Sequence, residues 1–412
     1  MVVEILAVGT ELLMGQIANT NAQYITSRLQ EIGFKVYFHS VVGDNPERLK
    51  TSLKLALSRS DVVITTGGLG PTKDDLTKET IAEYFGLKMV VHQESADKIR
   101  NFFARLGRDI TLNNLKQAEM PEGCIILENK AGTAPGCIVS GDEGSVILLP
   151  GPPSEMKPMF DSSVMPWLQK DSESVIISRY VKVFGIGESK LEDMILDIIE
   201  GQSNPTVAPY VKDGVVTVRV TAMCNEEPEC FEIMEPVIKE IILRTGTAVF
   251  STTGQSMEEV VVELLKANSM KIATAESCTG GLLASRLIDV AGASKVFEQG
   301  YITYSDSSKV SELGVDEKTI DMFGAVSEEV ALEMARGLFK KAKVGVAVSL
   351  TGIAGPGGGT TEKPVGLVYI AFKTTDKEWV VKLNLWGDRT RIRLMSVLTA
   401  LNEVRKYLIG NY

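Results

Sequence analysis

The sequence predicts an α/β protein of three domains: a doubly wound parallel sheet at the N-terminus, a small α+β unit in the middle and a second α/β domain at the C-terminus. Three observations predict this. Apolar runs alternate with stretches of helical period at both ends of the chain, the rhythm of a parallel sheet flanked by helices. A segment of linker composition, Ser251-Thr-Thr-Gly-Gln-Ser256, interrupts that rhythm. The chain has 412 residues, which at roughly 100–200 residues per domain suits two to four domains.

The elements follow in order. Residues 2–8 are an apolar run ending at Gly9, a buried strand. Residues 19–32 place Ala22, Ile25, Leu29 and Ile32 on one helical face behind Asn19 or Thr20 as N-cap. Strands are expected at 35–42, 61–65 and 146–149, and helices at 46–58, with Pro46 in the first turn, and at 76–85. The middle unit reads as strand 175–183, helix 190–199, strand 215–221 and helix 231–243. The last unit reads as helix 257–267, strand 271–274, a Gly-rich turn, helix 281–289 and strand 300–304. It continues with helix 327–341, strands 345–350, 365–372 and 379–385, and helix 390–408. The expected domains are 1–170, 171–252 and 253–412.

Composition narrows the function. Hydrophobic residues are 44% and charged residues 23% of the chain, ordinary globular values. The formal net charge of −10 argues against nucleic acid or an anionic membrane as partner. No run of about 20 apolar residues is present to span a bilayer. The N-terminal apolar run is short and carries Glu4, so no signal peptide is predicted and the cytoplasm is the expected location. The five cysteines are an odd number without a C-x-x-C pair, which excludes a disulfide framework and a Cys-based zinc site. The two histidines, His39 and His92, both lie in the first quarter. A serine or cysteine mechanism later in the chain therefore needs another base. The middle unit reads as a spacer or dimerisation unit. Its one pointer to nucleic acid, Gly185-Ile-Gly187, has no basic cluster beside it.

The sharpest local pattern is Ala275-Glu276-Ser277-Cys278-Thr279-Gly280-Gly281, between a strand and a helix. Such a turn exposes a nucleophile, Ser277 or Cys278, and aims helix N–H groups at it. It also reads as an ordinary Gly-rich turn whose serine caps the helix. Farther on, Tyr304 falls at a strand end with Lys309 five residues later. Either side chain is placed to orient or deprotonate Ser277, and a solvated helical lysine is the alternative. Thr351-Gly352-Ile-Ala-Gly355-Pro-Gly357-Gly-Gly-Thr360 follows an apolar strand, a setting in which backbone amides approach a phosphate. It lacks the Lys-Ser/Thr ending of a P-loop, so triphosphate hydrolysis is not indicated. Gly387-Asp388-Arg389-Thr390-Arg391 opens the last helix, and either arginine suits a phosphate, the alternative being an N-cap aspartate with exposed arginines.

These motifs, in this order, resemble the C-terminal domain of the CinA family, also found alone as the PncC-type nicotinamide mononucleotide deamidases, over residues 257–409. A-E-S-C-T-G-G, Y-x-T-Y-S-x-x-x-K, T-G-I-A-G-P-G-G and G-D-R all match the family pattern. The resemblance implies Ser277 as nucleophile, Lys309 as its base and supporting roles for Tyr304 and Thr351. Arg389 or Arg391 would contact the substrate, with Gly280, Gly281, Gly352, Gly355 and Gly357 lining its site. The implied reaction releases ammonia from nicotinamide mononucleotide, without a cofactor, and amides around Cys278–Gly281 would stabilise the oxyanion.

At the other end, Gly9-Thr10-Glu11, Gly43-Asp44-Asn45 and Gly67-Gly68-Leu69-Gly70-Pro71-Thr72-Lys73-Asp74-Asp75 recur at strand ends, where a parallel sheet binds ligands. The glycines admit phosphates, and Glu11, Asp44, Asp74 and Asp75 suit a shared Mg²⁺-like cation. The bland alternative is that these acids cap helices, Asp44 and Asp75 above all. G-T-E-L-L-x-G, N-T-N, V-G-D, T-T-G-G-L-G-P-T-x-D-D-L-T and P-G-P-P-x-E-M resemble the molybdopterin-binding-like domain that begins CinA proteins, over residues 1–167. That resemblance implies metal-dependent cleavage of ADP-ribose to AMP and ribose 5-phosphate. Gly67, Gly68, Gly70, Thr72, Asn19 and Asn21 would then bind substrate, and the four acids would hold the metal. Related domains bind a pterin and transfer adenylate. The family resemblance also implies a homodimer. The rival expectations are a molybdopterin-related binding protein and a non-catalytic competence- or damage-associated partner.

Overall fold

The computed structural model describes residues 1–105, 107, 109–170 and 175–410. The expected start of the middle domain, residue 171, and the chain end at 412 lie outside the described residues. The chain divides into two units, residues 1–177 with 223–231 and residues 178–222 with 232–412.

The first unit is built on β1 (Val2–Val8), β2 (Lys35–Val42), β3 (Val62–Thr66), β4 (Met89–Val91), β5 (Glu119–Pro121), β6 (Ile125–Leu127), β7 (Gly136–Gly141) and β8 (Gly144–Leu149). Six of these form one sheet in the order β2-β1-β3-β8-β7-β6, and β4 and β5 pair separately. The expected parallel pairing holds across β2, β1, β3 and β8. The sheet then departs from it: β7 and β6 add an antiparallel edge. A two-residue turn joins Gly141 to Gly144, too tight for the crossover that a parallel strand requires. The central strands are apolar because helices cover both faces. Val3 and Ile5 pack with Ile25 and Leu29 of helix Thr20–Glu31, while Leu6 and Val8 pack with Leu49 and Leu53 of helix Pro46–Leu57 on the other side. Glu4 is the buried exception in β1. Arg59 answers it with two hydrogen bonds of 2.8 and 2.9 Å, and Ser40 with a third of 2.7 Å.

Downstream, β9 (Val175–Val183), β10 (Thr206–Lys212), β11 (Val215–Cys224) and β12 (Val249–Ser251) form a sheet in the order β10-β11-β9-β12. The sequence reading missed β10 and took Ser251, which ends β12, for linker. The expected helix at 190–199 breaks in two, Glu188–Met194 and Leu196–Glu200.

The C-terminal sheet comprises β13 (Ile272–Glu276), β14 (Phe297–Ile302), β15 (Val346–Gly352), β16 (Leu367–Thr374) and β17 (Glu378–Asn384), in the order β14-β13-β15-β16-β17. The first three are parallel, and β16 and β17 are antiparallel. Helices Met257–Ala267, Leu282–Ile288 and Arg389–Leu408 pack on one face and Glu328–Ala342 on the other. Helix Met257–Ala267 starts where a capping box fixes it, with Ser256 and Glu259 exchanging hydrogen bonds. No helix among the described residues is long and apolar enough to cross a membrane.

Candidate functional site

Sheet register assembles the C-terminal motifs. Glu276, the last residue of β13, stands beside Ile302 of β14 and Leu350 of β15. Ser277 is therefore flanked by Thr303 and Thr351 at the carboxyl edge of three parallel strands, the usual place for a ligand. Two backbone bonds tie these ends together: Ser277 N–H donates to the Leu350 carbonyl and Thr303 N–H to the Glu276 carbonyl, each at 2.9 Å.

The turn beyond Ser277 depends on Gly280 and Gly281, both left-handed with φ of 59° and 89°. The helix that follows, Leu282–Ile288, does not offer all its free amides to the nucleophile. The buried Glu276 carboxylate accepts from Leu283 N–H at 3.0 Å and Ala284 N–H at 2.9 Å. Gly280 N–H is turned to the Ser277 carbonyl and Leu282 N–H to the Thr279 carbonyl. The amides of Thr279 and Gly281 remain without a partner among the described residues. Arg393, which the sequence reading overlooked, clamps the same turn by donating to the Thr279 carbonyl at 2.6 Å. Its signal was its spacing: it lies four residues after Arg389, on the same helical face.

The two candidate nucleophiles differ in kind. Burial pushes the Cys278 thiol up to about 11, which disfavours its thiolate at neutral pH. The Ser277 hydroxyl makes no hydrogen bond among the described residues. Lys309 is 1% exposed, not a solvated lysine. Its ammonium donates to the Tyr304 and Ser305 carbonyls and to Asp306, each at 3.4 Å, and not to Ser277. The Thr351 hydroxyl is committed to the Ala325 carbonyl at 2.7 Å. Tyr304 projects outward, and its hydroxyl accepts from Arg389 at 3.2 Å. The other arm of Arg389 donates to the Gly355 carbonyl at 2.7 Å. Arg391 points elsewhere and stacks over the Trp386 ring, 4.2 Å from its centroid. In the Gly-rich loop, a side chain at Gly352 would strike the Leu367 carbonyl, whereas Gly357 faces open space.

The N-terminal motifs converge on a cavity of about 970 Å³. Glu11, Asn19, Asn21, Asp44, Gly67, Gly68, Gly70, Thr72, Asp74 and Asp75 all line it. Gly67 is obligatory at its place, because a Cβ there would lie 2.0 Å from the Val8 carbonyl. Asp44 and Asp75 do not cap the helices that follow them. Asn45 caps helix Pro46–Leu57, and Leu76 precedes helix Thr77–Tyr84 with no side-chain cap bond. Each aspartate instead holds a threonine with one oxygen. Asp44 accepts from Thr10 N–H and hydroxyl at 3.0 and 2.8 Å, and Asp75 from Thr72 N–H and hydroxyl at 2.9 and 2.6 Å. Asn19 caps helix Thr20–Glu31 through a bond from Ala22 N–H.

Gln117, Thr133 and Glu155 also line the cavity, and the sequence reading missed them. The acid in P-G-P-P-x-E-M was the available signal for Glu155; Gln117 had none. Glu11, Asp44, Asp74, Asp75 and Glu155 thus surround a cavity whose lining includes no lysine or arginine among the described residues. No three His, Cys, Asp or Glu side chains among the described residues converge to cage an ion. This all-oxygen donor set fits a magnesium-type cation held by one or two carboxylates and completed by phosphate oxygens. In the middle sheet, Gly185 and Gly187 lead into helix Glu188–Met194, whose first turn is acidic, the opposite of a phosphate cradle.

The geometry defines a chain that joins a domain built on a mostly parallel sheet to an α/β domain carrying a serine at a strand-to-helix turn. Family models agree with that division: a probable molybdopterin binding domain matches residues 4–170, the KH domain of damage-inducible protein CinA residues 178–251, and the CinA C-terminal domain residues 254–408. A relative in Acetivibrio thermocellus, whose name ties it to competence and damage induction, is 54% identical over 98% of both chains. A CinA-like protein of Kosmotoga olearia is 49% identical over 98% of both. The chain belongs to the CinA family. The crystal structure of competence/damage inducible protein CihA from Agrobacterium tumefaciens is 40% identical and covers 38% of this chain and 96% of its own, with a TM-score of 0.35, too low to bear on the fold.

Proposed function

We infer that the protein is a hydrolase of pyridine-nucleotide metabolites whose C-terminal site deamidates nicotinamide mononucleotide. The observation that carries this reading is the register that sets Ser277 between Thr303 and Thr351, with Arg389 bridging Tyr304 to the Gly355 loop. Ser277 Oγ attacks the carboxamide carbon, and the oxyanion forms beside the Thr279 and Gly281 amides. The carbon–nitrogen bond breaks, the nitrogen takes a proton and ammonia leaves. Water then hydrolyses the ester to nicotinic acid mononucleotide and restores Ser277. Lys309, in its neutral amine form, is the candidate to receive the hydroxyl proton and return it, which requires its nitrogen to leave the carbonyls it now contacts. Arg389 is placed to hold the substrate phosphate.

The N-terminal cavity supports a second activity, cleavage of ADP-ribose. Carboxylates around a cavity whose lining, among the described residues, holds no lysine or arginine repel a pyrophosphate unless a cation intervenes. Asp44 and Asp75 would hold that cation with their second oxygens, which have no hydrogen-bond partner among the described residues. When bound, a divalent ion polarises phosphoryl oxygens and offsets charge developing on them. The Gly67–Gly70 turn lets the ligand approach the backbone, and the acids position it.

One experiment tests both activities. Ammonia release from nicotinamide mononucleotide and AMP release from ADP-ribose are measured with and without a chelator, in the intact protein and in Ser277→Ala and Cys278→Ala. The expected result is ammonia release abolished only by Ser277→Ala, and AMP release abolished only by the chelator. Ammonia release that survives Ser277→Ala overturns the C-terminal reading. AMP release unaffected by metal removal overturns the N-terminal one.

A further inference from the structure

We propose that Gln117, together with Asn21, selects the ligand of the N-terminal cavity by reading hydrogen-bond donors on it, the amino edge of a nitrogen heterocycle or a ribose hydroxyl. The inference rests on the reading of this cavity as a nucleotide site. Both side chains line the cavity, at 8% exposure for Asn21 and 3% for Gln117. In each, the amide oxygen is buried and has no hydrogen-bond partner among the described residues. Buried polar atoms of this kind are rare because leaving one unpaired is costly, so two in one cavity point to a group that arrives with the ligand.

The orientation of each amide is set by what its nitrogen holds. Asn21 Nδ2 donates to the Gly151 carbonyl at 2.7 Å and to the Thr66 hydroxyl oxygen at 2.8 Å. Thr66 in turn donates its own proton to the Pro150 carbonyl at 3.0 Å. Gln117 Nε2 donates to the Leu69 carbonyl at 3.4 Å. Turning either amide over would set its oxygen against a carbonyl oxygen, so both must present an acceptor. The ligand group that meets them must therefore carry N–H or O–H. An ionised phosphate carries only acceptors and cannot be that group.

The test uses the full chain in magnesium buffer and the non-hydrolysable α,β-methylene analogue of ADP-ribose, with binding read by calorimetry. Two further ligands replace the adenine amino group by a carbonyl, as in hypoxanthine, or remove the 2′-hydroxyl of the adenosine ribose. One of the two is expected to bind wild-type protein about tenfold to a hundredfold more weakly than the parent, the penalty for leaving a buried acceptor unpaired. Which one it is assigns the donor to the base or to the ribose. The same penalty is expected to persist in Gln117→Glu, which keeps an acceptor, and to shrink to about threefold or less in Gln117→Met, which keeps the volume and loses it. A parent ligand that binds while neither analogue is penalised in wild-type protein overturns the inference and leaves the nucleotide reading standing. A penalty that is the same in Gln117→Met as in wild type overturns the role of Gln117. Failure of the parent ligand to bind overturns the nucleotide reading and this inference with it.

Discussion

Arg389 joins two motifs that lie far apart in the chain: one guanidinium nitrogen donates to the Tyr304 hydroxyl at 3.2 Å and the other to the Gly355 carbonyl at 2.7 Å. Both partners move if it is removed. Arg389→Ala is expected to lower kcat/KM for ammonia release about a hundredfold, from lost phosphate contact and a misplaced loop. Arg389→Lys recovers little, because an ammonium lacks the fork that spans both acceptors. Arg391→Ala, which only uncovers Trp386, is expected to change the rate by less than about threefold. Steady-state kinetics on the three variants checks the order.

Glu276 is a buried cap as well as a member of the nucleophile motif. Glu276→Gln keeps one acceptor for the Leu283 and Ala284 amides and is expected to cost about 1 kcal/mol. Glu276→Leu strands both amides and is expected to cost about 2–3 kcal/mol. Urea unfolding read by circular dichroism gives both values, and equal costs for the two would count against the capping role.

The cysteines should differ in reactivity. A hydrogen bond from Cys137 draws the Cys124 thiol below its ordinary value against the opposing effect of burial. Burial pushes Cys278 up to about 11. At pH 7.5 iodoacetamide is expected to modify half-buried Cys124 first and leave Cys278 intact. The Cys278 rate should then climb about tenfold per pH unit until the pH approaches that value. Peptide mass spectrometry after timed alkylation follows both. Fast modification of Cys278 at neutral pH would reopen the choice of nucleophile.

Glu4 ties pH to stability. Burial alone would raise its carboxyl, but the hydrogen bonds from Arg59 and Ser40 more than offset this and hold it below the ordinary 4.5. A carboxylate depressed in the folded state contributes its stability above the unfolded value and loses it as the pH falls through the folded one. Arg59→Met is therefore expected to lower the melting temperature by several degrees at pH 7 and by much less at an acid pH below the depressed value of the folded carboxyl, where that group is protonated in wild type as well. Differential scanning calorimetry at the two pH values reads the difference, and equal losses at both would contradict the ion-pair account.

Much of the fold was legible because strand and helix periods were strong and well punctuated. Val2–Val8 was read from an apolar run closed by Gly9, and Met257–Ala267 from its period after Ser256. The strand Thr206–Lys212 was missed because Pro209 sits within it. As an edge strand it tolerates the lost N–H. The hairpin signal was present in Asp213-Gly214, both residues with positive φ, at 52° and 81°. Candidate residues that announce themselves by local pattern, such as Asp75 and Ser277, were singled out. Gln117 and Arg393 were not, because their importance comes from what distant segments bring to them: the cavity in one case, the Thr279 carbonyl in the other. The burial of Lys309 was also hidden, since nothing in Asp-Ser-Ser-Lys marks a lysine that loses its solvent.

The backbone ties at Leu350 and Glu276 and the Arg393 clamp have a consequence during synthesis. Ser277 leaves the ribosome well before Leu350, and Arg393 emerges only with the last helix. Before Leu350 emerges, the strand that ends at Glu276 has one neighbour at most, and until Arg393 emerges the turn after it has nothing to hold the Thr279 carbonyl. A nascent chain thus carries Ser277 before the contacts that fix its turn exist, and the turn takes its final form only when the helix that holds Arg393 has docked.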